Sequence, residues 1–195
     1  LLIEVVVNKN NYRKMPNSQL KNKFEKDGYL LLPLFKKRNL NELKKNLAIL
    51  INNSYEKNSL IKQHNSKNVD ETIHKGMINL DKKNHKYLSE IYDIVSKSTD
   101  FLNLLINKNV LKTVKLLLNL QSKKNLLINS TTIRMDPPGI NKFTYGWHKD
   151  ENTNIPGSNF VQLWAPLFNR VNKKNGALEI ALKSHLNNVS TNKTL

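Results

Sequence analysis

The sequence predicts an α+β domain in which helices come first and a strand-rich region follows, the latter folded as a sandwich or jelly roll. Three observations predict it. Several segments between Ser18 and Asn119 carry apolar residues at helical spacing, and beyond Asn125 the period shifts towards two. The strand-like runs are also punctuated by Asp136-Pro137-Pro138-Gly139 and by Asn175-Gly176, which stop a ladder or turn the chain.

Residues Leu1 to Val7 read as a short strand followed by a polar run, with nothing that connects them to the later pattern. Leu1–Asn17 is therefore treated as an N-terminal extension outside the native domain, with Met15 as the candidate start, and 18–195 as the domain proper. From Ser18, Leu20 and Phe24 lie four apart, and Asp27-Gly28 supplies a residue able to take positive φ and end that helix. Tyr29 to Phe35 reads as a buried strand. Asn39, with Glu42 three residues on, is expected to cap the next helix, whose apolar stripe is Leu40, Leu43, Leu47 and Leu50.

The polar stretch Asn52 to Asp81 is expected to be loop. A helix over Asn84 to Lys97 carries Tyr87, Leu88, Ile91, Tyr92 and Val95; another, capped by Thr99 or Asp100, carries Phe101, Leu104 and Leu105; a third covers Asn109 to Asn119. Strands are expected at Leu126 to Met135, Phe160 to Phe168 and Ala177 to Leu182, the last after the Asn175-Gly176 turn.

A chain of 195 residues can bury a sizeable core, and its hydrophobic content of 38% is that of an ordinary soluble domain. The absence of cysteine excludes disulfides and thiolate metal sites, leaving His, Asp and Glu as ligands, a donor set that suits iron, manganese or zinc. No apolar run approaches the roughly 20 residues of a membrane span, and no secretory signal stands at the N-terminus, so a cytoplasmic location is expected.

The net charge of +17 raises the question of nucleic acid. Almost all of it is lysine, dispersed among asparagines; arginine occurs only at 13, 38, 134 and 170, whereas base edges and phosphate forks favour arginine. A solvated lysine surface that favours an anionic small-molecule substrate is the expectation, with nucleic-acid binding third among the function classes.

Chemistry concentrates at Trp147-His148-Lys149-Asp150. In an extended run, His148 and Asp150 project to one side, so both can bind one metal ion; they would be two members of a two-histidine, one-carboxylate facial triad. Three ordered motifs surround the pair: Phe24-Glu25-Lys26-Asp27-Gly28-Tyr29-Leu30-Leu31-Leu32-Pro33, the run from Trp147 to Leu167, and Asn175-Gly176-Ala177-Leu178 with Ser184-His185. In order and spacing, from Ser18 to about Leu186, the chain resembles the phytanoyl-CoA dioxygenase family, although Lys183 stands where glycine is usual.

The resemblance implies N-terminal helices packed on a double-stranded β-helix, a cupin-like jelly roll, incomplete at the C-terminus. It implies Fe(II) held by His148 and Asp150, 2-oxoglutarate as co-substrate, dioxygen as oxidant, and hydroxylation of a small organic molecule coupled to decarboxylation of 2-oxoglutarate to succinate. It further places Trp164, Thr132 and Lys97 at the 2-oxoglutarate pocket, with core or surface roles as the plainer readings of Trp164 and Lys97. Arg134 shares a face with Thr132 if no bulge intervenes.

The distal histidine and the anchoring arginine are expected beyond Leu195. The chain alone is therefore expected to bind iron weakly and turn over little. His185 is read as belonging to the Ser-His turn rather than to the metal, and His64, His74 and His85 as surface residues. The competing class is a non-catalytic jelly-roll binding protein or degenerate fragment, since one scaffold hosts many functions. Substrate choice is assigned to Asn52–Asp81 and Glu151–Pro156.

Overall fold

The computed structural model describes residues 2–5, 15–60, 68–121, 123–129, 131–136, 146–148, 159–167, 171–172 and 176–186. They form β1 (Leu2–Val5), α1 (Asn17–Asp27), β2 (Tyr29–Leu32), α2 (Lys37–Lys57), α3 (Val69–Lys83), α4 (His85–Val95), α5 (Thr99–Leu105), α6 (Lys108–Leu117) and β3 (Gln162–Trp164), followed by a 3-10 turn at Ser184–Leu186. The chain divides into two compact units.

The first unit comprises Leu1–Lys36, Asn107–Asn129 and Tyr145–Leu195. Its α1 ends where the sequence predicts: Gly28 takes φ 81°, a left-handed conformation that a Cβ would strain, and its N–H closes the last turn on the Phe24 carbonyl at 2.8 Å. The chain turns directly into β2. There Leu30 is buried and joins Phe24, Leu34, Val110 and Leu117 in a core to which Leu20, Val114, Val161, Leu163 and Ala165 add partly buried surface.

The sheet has the order β2-β1-β3 and is parallel throughout, with Ile3 opposite Leu30 on one side and Leu163 on the other. Parallel neighbours cannot be joined by a hairpin and need a crossover, which α1 provides between β1 and β2. The N-terminal segment, expected to stand apart, is thus the middle strand.

The second unit comprises Lys37–Ile106 and Ser130–Thr144, and its core is helical. On α2, Leu40, Leu43, Leu47, Ala48, Ile51 and Tyr55 are buried; on α3, Ile73, Met77 and Leu80; on α4, Leu88, Ile91 and Val95; on α5, Leu104. Each set follows the three-or-four spacing of one helix face. Caps are local: the Asn68 side chain accepts from the Asp70 and Glu71 amides, Asn84 from Lys86 and Ser98 from Phe101.

These findings correct the predicted fold class. Among the described residues there is no jelly roll or double-stranded β-helix: six helices dominate, and the strands are three, short and parallel, whereas a jelly roll is built of longer antiparallel ones. Over its described residues Phe160–Phe168 contracts to the three residues of β3, and Tyr29–Phe35 contracts to the four of β2.

Leu126–Met135 forms no strand over its described part, and at its end the Met135 backbone finds another partner. The Tyr92 hydroxyl donates to the Met135 carbonyl and accepts from the Met135 N–H. Ala177–Leu182 forms no strand either. The turn before it exists, with Gly176 at φ 88° and the Ala177 N–H bonded to the Asn172 carbonyl at 3.0 Å, but the chain then closes local turns from Ser184 to Ala181 and from Leu186 to Lys183.

Two helical expectations also shift. The stretch expected as loop over Asn52–Asp81 holds the end of α2 and most of α3, and α2 begins before Asn39, which therefore lies inside its first turn.

Candidate functional site

His148 lies in the first unit and is exposed. Its Nδ1 sits 2.8 Å from the Gly146 carbonyl oxygen. A carbonyl only accepts, so Nδ1 carries the proton, and in the neutral ring Nε2 is then the nitrogen with the lone pair. This is the arrangement in which a backbone carbonyl orients a metal-binding imidazole. Trp147 beside it is 64% exposed. Asp150, the second predicted ligand, lies outside the described residues.

Trp164 is the last residue of β3, opposite Glu4 of β1 in register. Val161, Leu163 and Ala165 pack on the core, so strand alternation puts Trp164 and the exposed Gln162 on the other face. Trp164 is half-buried there, outside the core cluster.

Thr132 and Lys97 lie in the second unit. Thr132 is exposed on the segment that Tyr92 holds. Thr132, Arg134 and Asp136 are exposed while Ile133 is 5% exposed and Met135 is half-buried, so alternation is unbroken and Thr132 shares a face with Arg134. Arg134 is ion-paired with Asp136 at 3.0 Å.

Lys97 lines a groove of about 500 Å³ formed by α2, α4 and α5, with Ile49, Ile94, Asp93 and Asp100 among its walls. Two carboxylates against one ammonium make this groove a poor receptor for a dicarboxylate. Thr132 is not among its lining residues. The Asn46 side chain donates to Asp100, which leads the first turn of α5, where its charge complements the helix dipole.

Two residues with a larger structural part than the sequence reading gave them are Tyr92 and His185. The double hydrogen bond of Tyr92 to Met135 comes with a phenol pushed up to about 12, chiefly by burial. A tyrosine on the apolar face of a helix carries a hydroxyl that must find a partner, and this was the available signal. His185 lies against the end of α1: its Nε2 is 2.8 Å from the Glu25 carbonyl oxygen and its ring rests on Gly28. It serves α1 and the turn, as its place in the Ser-His sequence suggests.

Of the remaining histidines, His74 is exposed on α3. His85 opens α4 with its Nδ1 2.6 Å from the Asp81 carboxylate. His64 lies outside the described residues. No group of three or more metal-binding side chains is assembled among the described residues, and no helix among them is long and apolar enough to cross a membrane. Set against known protein families, curated proteins and solved structures, the chain matches none.

Proposed function

We propose that this chain is an iron(II)- and 2-oxoglutarate-dependent dioxygenase related to the phytanoyl-CoA dioxygenases, with His148 and Asp150 as its proximal metal ligands. The reading rests on the order of its residue motifs and not on the sheet. The observation that carries it is the hydrogen bond from His148 Nδ1–H to the Gly146 carbonyl, which leaves Nε2 as the basic nitrogen two residues ahead of a carboxylate. Nitrogen and oxygen donors of this kind fit iron(II).

His148 and Asp150 would hold the iron(II), which with 2-oxoglutarate and dioxygen would supply the oxidation of a C–H bond to an alcohol coupled to decarboxylation to succinate. The chain's own residues hold and orient. Gly146 fixes the imidazole, and Asp150 adds negative charge to the donor set. The lysine surface favours an anionic small-molecule substrate.

Anaerobic calorimetric titration of the protein with Fe(II), then of loaded and metal-free protein with 2-oxoglutarate, tests this. His148→Ala and Asp150→Ala should each weaken iron binding by at least the roughly tenfold that loss of a mere supporting partner costs. The 2-oxo acid should bind only the loaded protein. Iron binding unchanged in both variants, or 2-oxoglutarate binding indifferent to the metal, sinks the reading.

A further inference from the structure

The end of α1 holds a contact that neither the metal pair nor the core explains. The segment 176–186 returns to α1 through the Lys183 N–H, 3.4 Å from the Asp27 carbonyl, and through the His185 Nε2, 2.8 Å from the Glu25 carbonyl. Both acceptors belong to the last turn of the helix, whose carbonyls have no intrahelical partner.

A carbonyl accepts, so Nε2 carries a proton. The other nitrogen, Nδ1, is buried, and among the described residues it has no hydrogen-bond partner. It faces Gly28 so closely that a Cβ built there would lie 2.4 Å away. The closed contact therefore accommodates a ring with one proton, on Nε2. A second proton on Nδ1 would face Gly28 with no acceptor among the described residues.

We propose that residues 176–186 form a strap latched onto α1 by neutral His185, and that protonation of His185 releases it. The charges around the ring do not reverse this. On α1, Glu25 pairs with Lys21 at 3.7 Å and Asp27 accepts from Lys23. That hydrogen bond holds the Asp27 carboxyl below its usual range and raises Lys23, so both keep their charges as pH falls towards mild acidity. Lys26 and Lys183 add positive charge near Asp27, and Tyr29 of β2 lies under the Lys23 ammonium, 5.9 Å from ring centroid to Nζ. The α1 dipole favours a cation at this end, but stranding a buried N–H costs more than that attraction returns.

Gly28 and His185 thus act as one device. The glycine is required by its φ of 81° and again by the ring seated on it.

Amide exchange of the intact protein, corrected for intrinsic rates, tests the strap at about pH 7.5 and about pH 5.5. Protection of the Lys183, Ser184 and Leu186 amides should fall by about tenfold or more at the lower pH, while α1 amides hold and report that the unit stays folded. His185→Gln keeps an amide N–H near the Nε2 position and does not titrate, so its strap should stay protected at both pH values. His185→Ala should lose protection at both. Wild-type protection that ignores pH, a glutamine variant that loses it with acid, or an alanine variant that keeps it would each overturn the proposal.

Discussion

The helices α2, α4 and α5 of the second unit and the strands expected at Leu126–Met135 and Ala177–Leu182 were read from the same kind of pattern, yet only the helices folded as their pattern indicated. A helix meets its backbone hydrogen bonds within itself, so one face of spaced apolar residues and a capping side chain suffice to specify it. An extended segment must borrow its partner from elsewhere in the chain. Alternation can therefore report extended backbone without reporting a strand. At Met135 the partner is a phenol on α4; at Lys183 it is the Asp27 carbonyl at the end of α1.

The comparison implies that the two kinds of region fail differently. Leu47 has no exposed surface on α2. Leu47→Ala should cost about 2–5 kcal/mol, because the surrounding helices cannot close over the lost volume. The loss should appear as a single cooperative shift in urea unfolding followed by helix signal. A change below about 1 kcal/mol would mean that these helices do not share a packed core.

Tyr92→Phe removes one oxygen and strands both Met135 backbone groups, at a cost of about 1–3 kcal/mol. The damage should be local: exchange at 131–136 should rise while amides of α2 and α3 keep their protection. Equal loss across all of them would make the segment part of the helical core and erase the contrast. The same phenol supplies a pH signature. Its folded value of about 12 lies above the unfolded value of about 10, so folding favours the neutral form. Its contribution is complete below the unfolded value and is lost as pH rises through the folded one. Alkaline unfolding of the wild type should steepen across that interval, and Tyr92→Phe should remove the added steepness.

Much of the helical part was legible. Phe24, Gly28, Leu43, Leu88 and Val95 stand where periodicity and the Asp-Gly stop place them, because those signals act within a few residues. The sheet was not legible, since its order depends on β1 and β3, more than 150 residues apart, meeting side by side. The jelly roll was read from the order of helices and then strand-like runs and sharpened by the family resemblance, and the parallel pairing of β1 with β2 and β3 overturned it. The sequence also anticipated the turn at Gly176. It did not anticipate that Lys97 would share a groove with Asp93 and Asp100, because the residues around it come from three helices.

The least visible helix offers the finest test. α3 was hidden by the polar stretch around it, yet its signals were present: Asn68 followed three residues later by Glu71, acidic residues in the first turn, and Ile73, Met77 and Leu80 on one face. If helices are specified locally, removing the cap should matter. Asn68 accepts from the Asp70 and Glu71 amides at 3.0 and 3.4 Å. Asn68→Ala should therefore cost about 1 kcal/mol, and Asn68→Ser or Asn68→Asp, which still cap, should recover most of it. Fraying should be confined to the first turn of α3 in exchange measurements, since Ile73 and Met77 remain buried against their neighbours. A neutral alanine variant would mean that α3 is held by its apolar face alone, and that even here the partner, rather than the local sequence, decides.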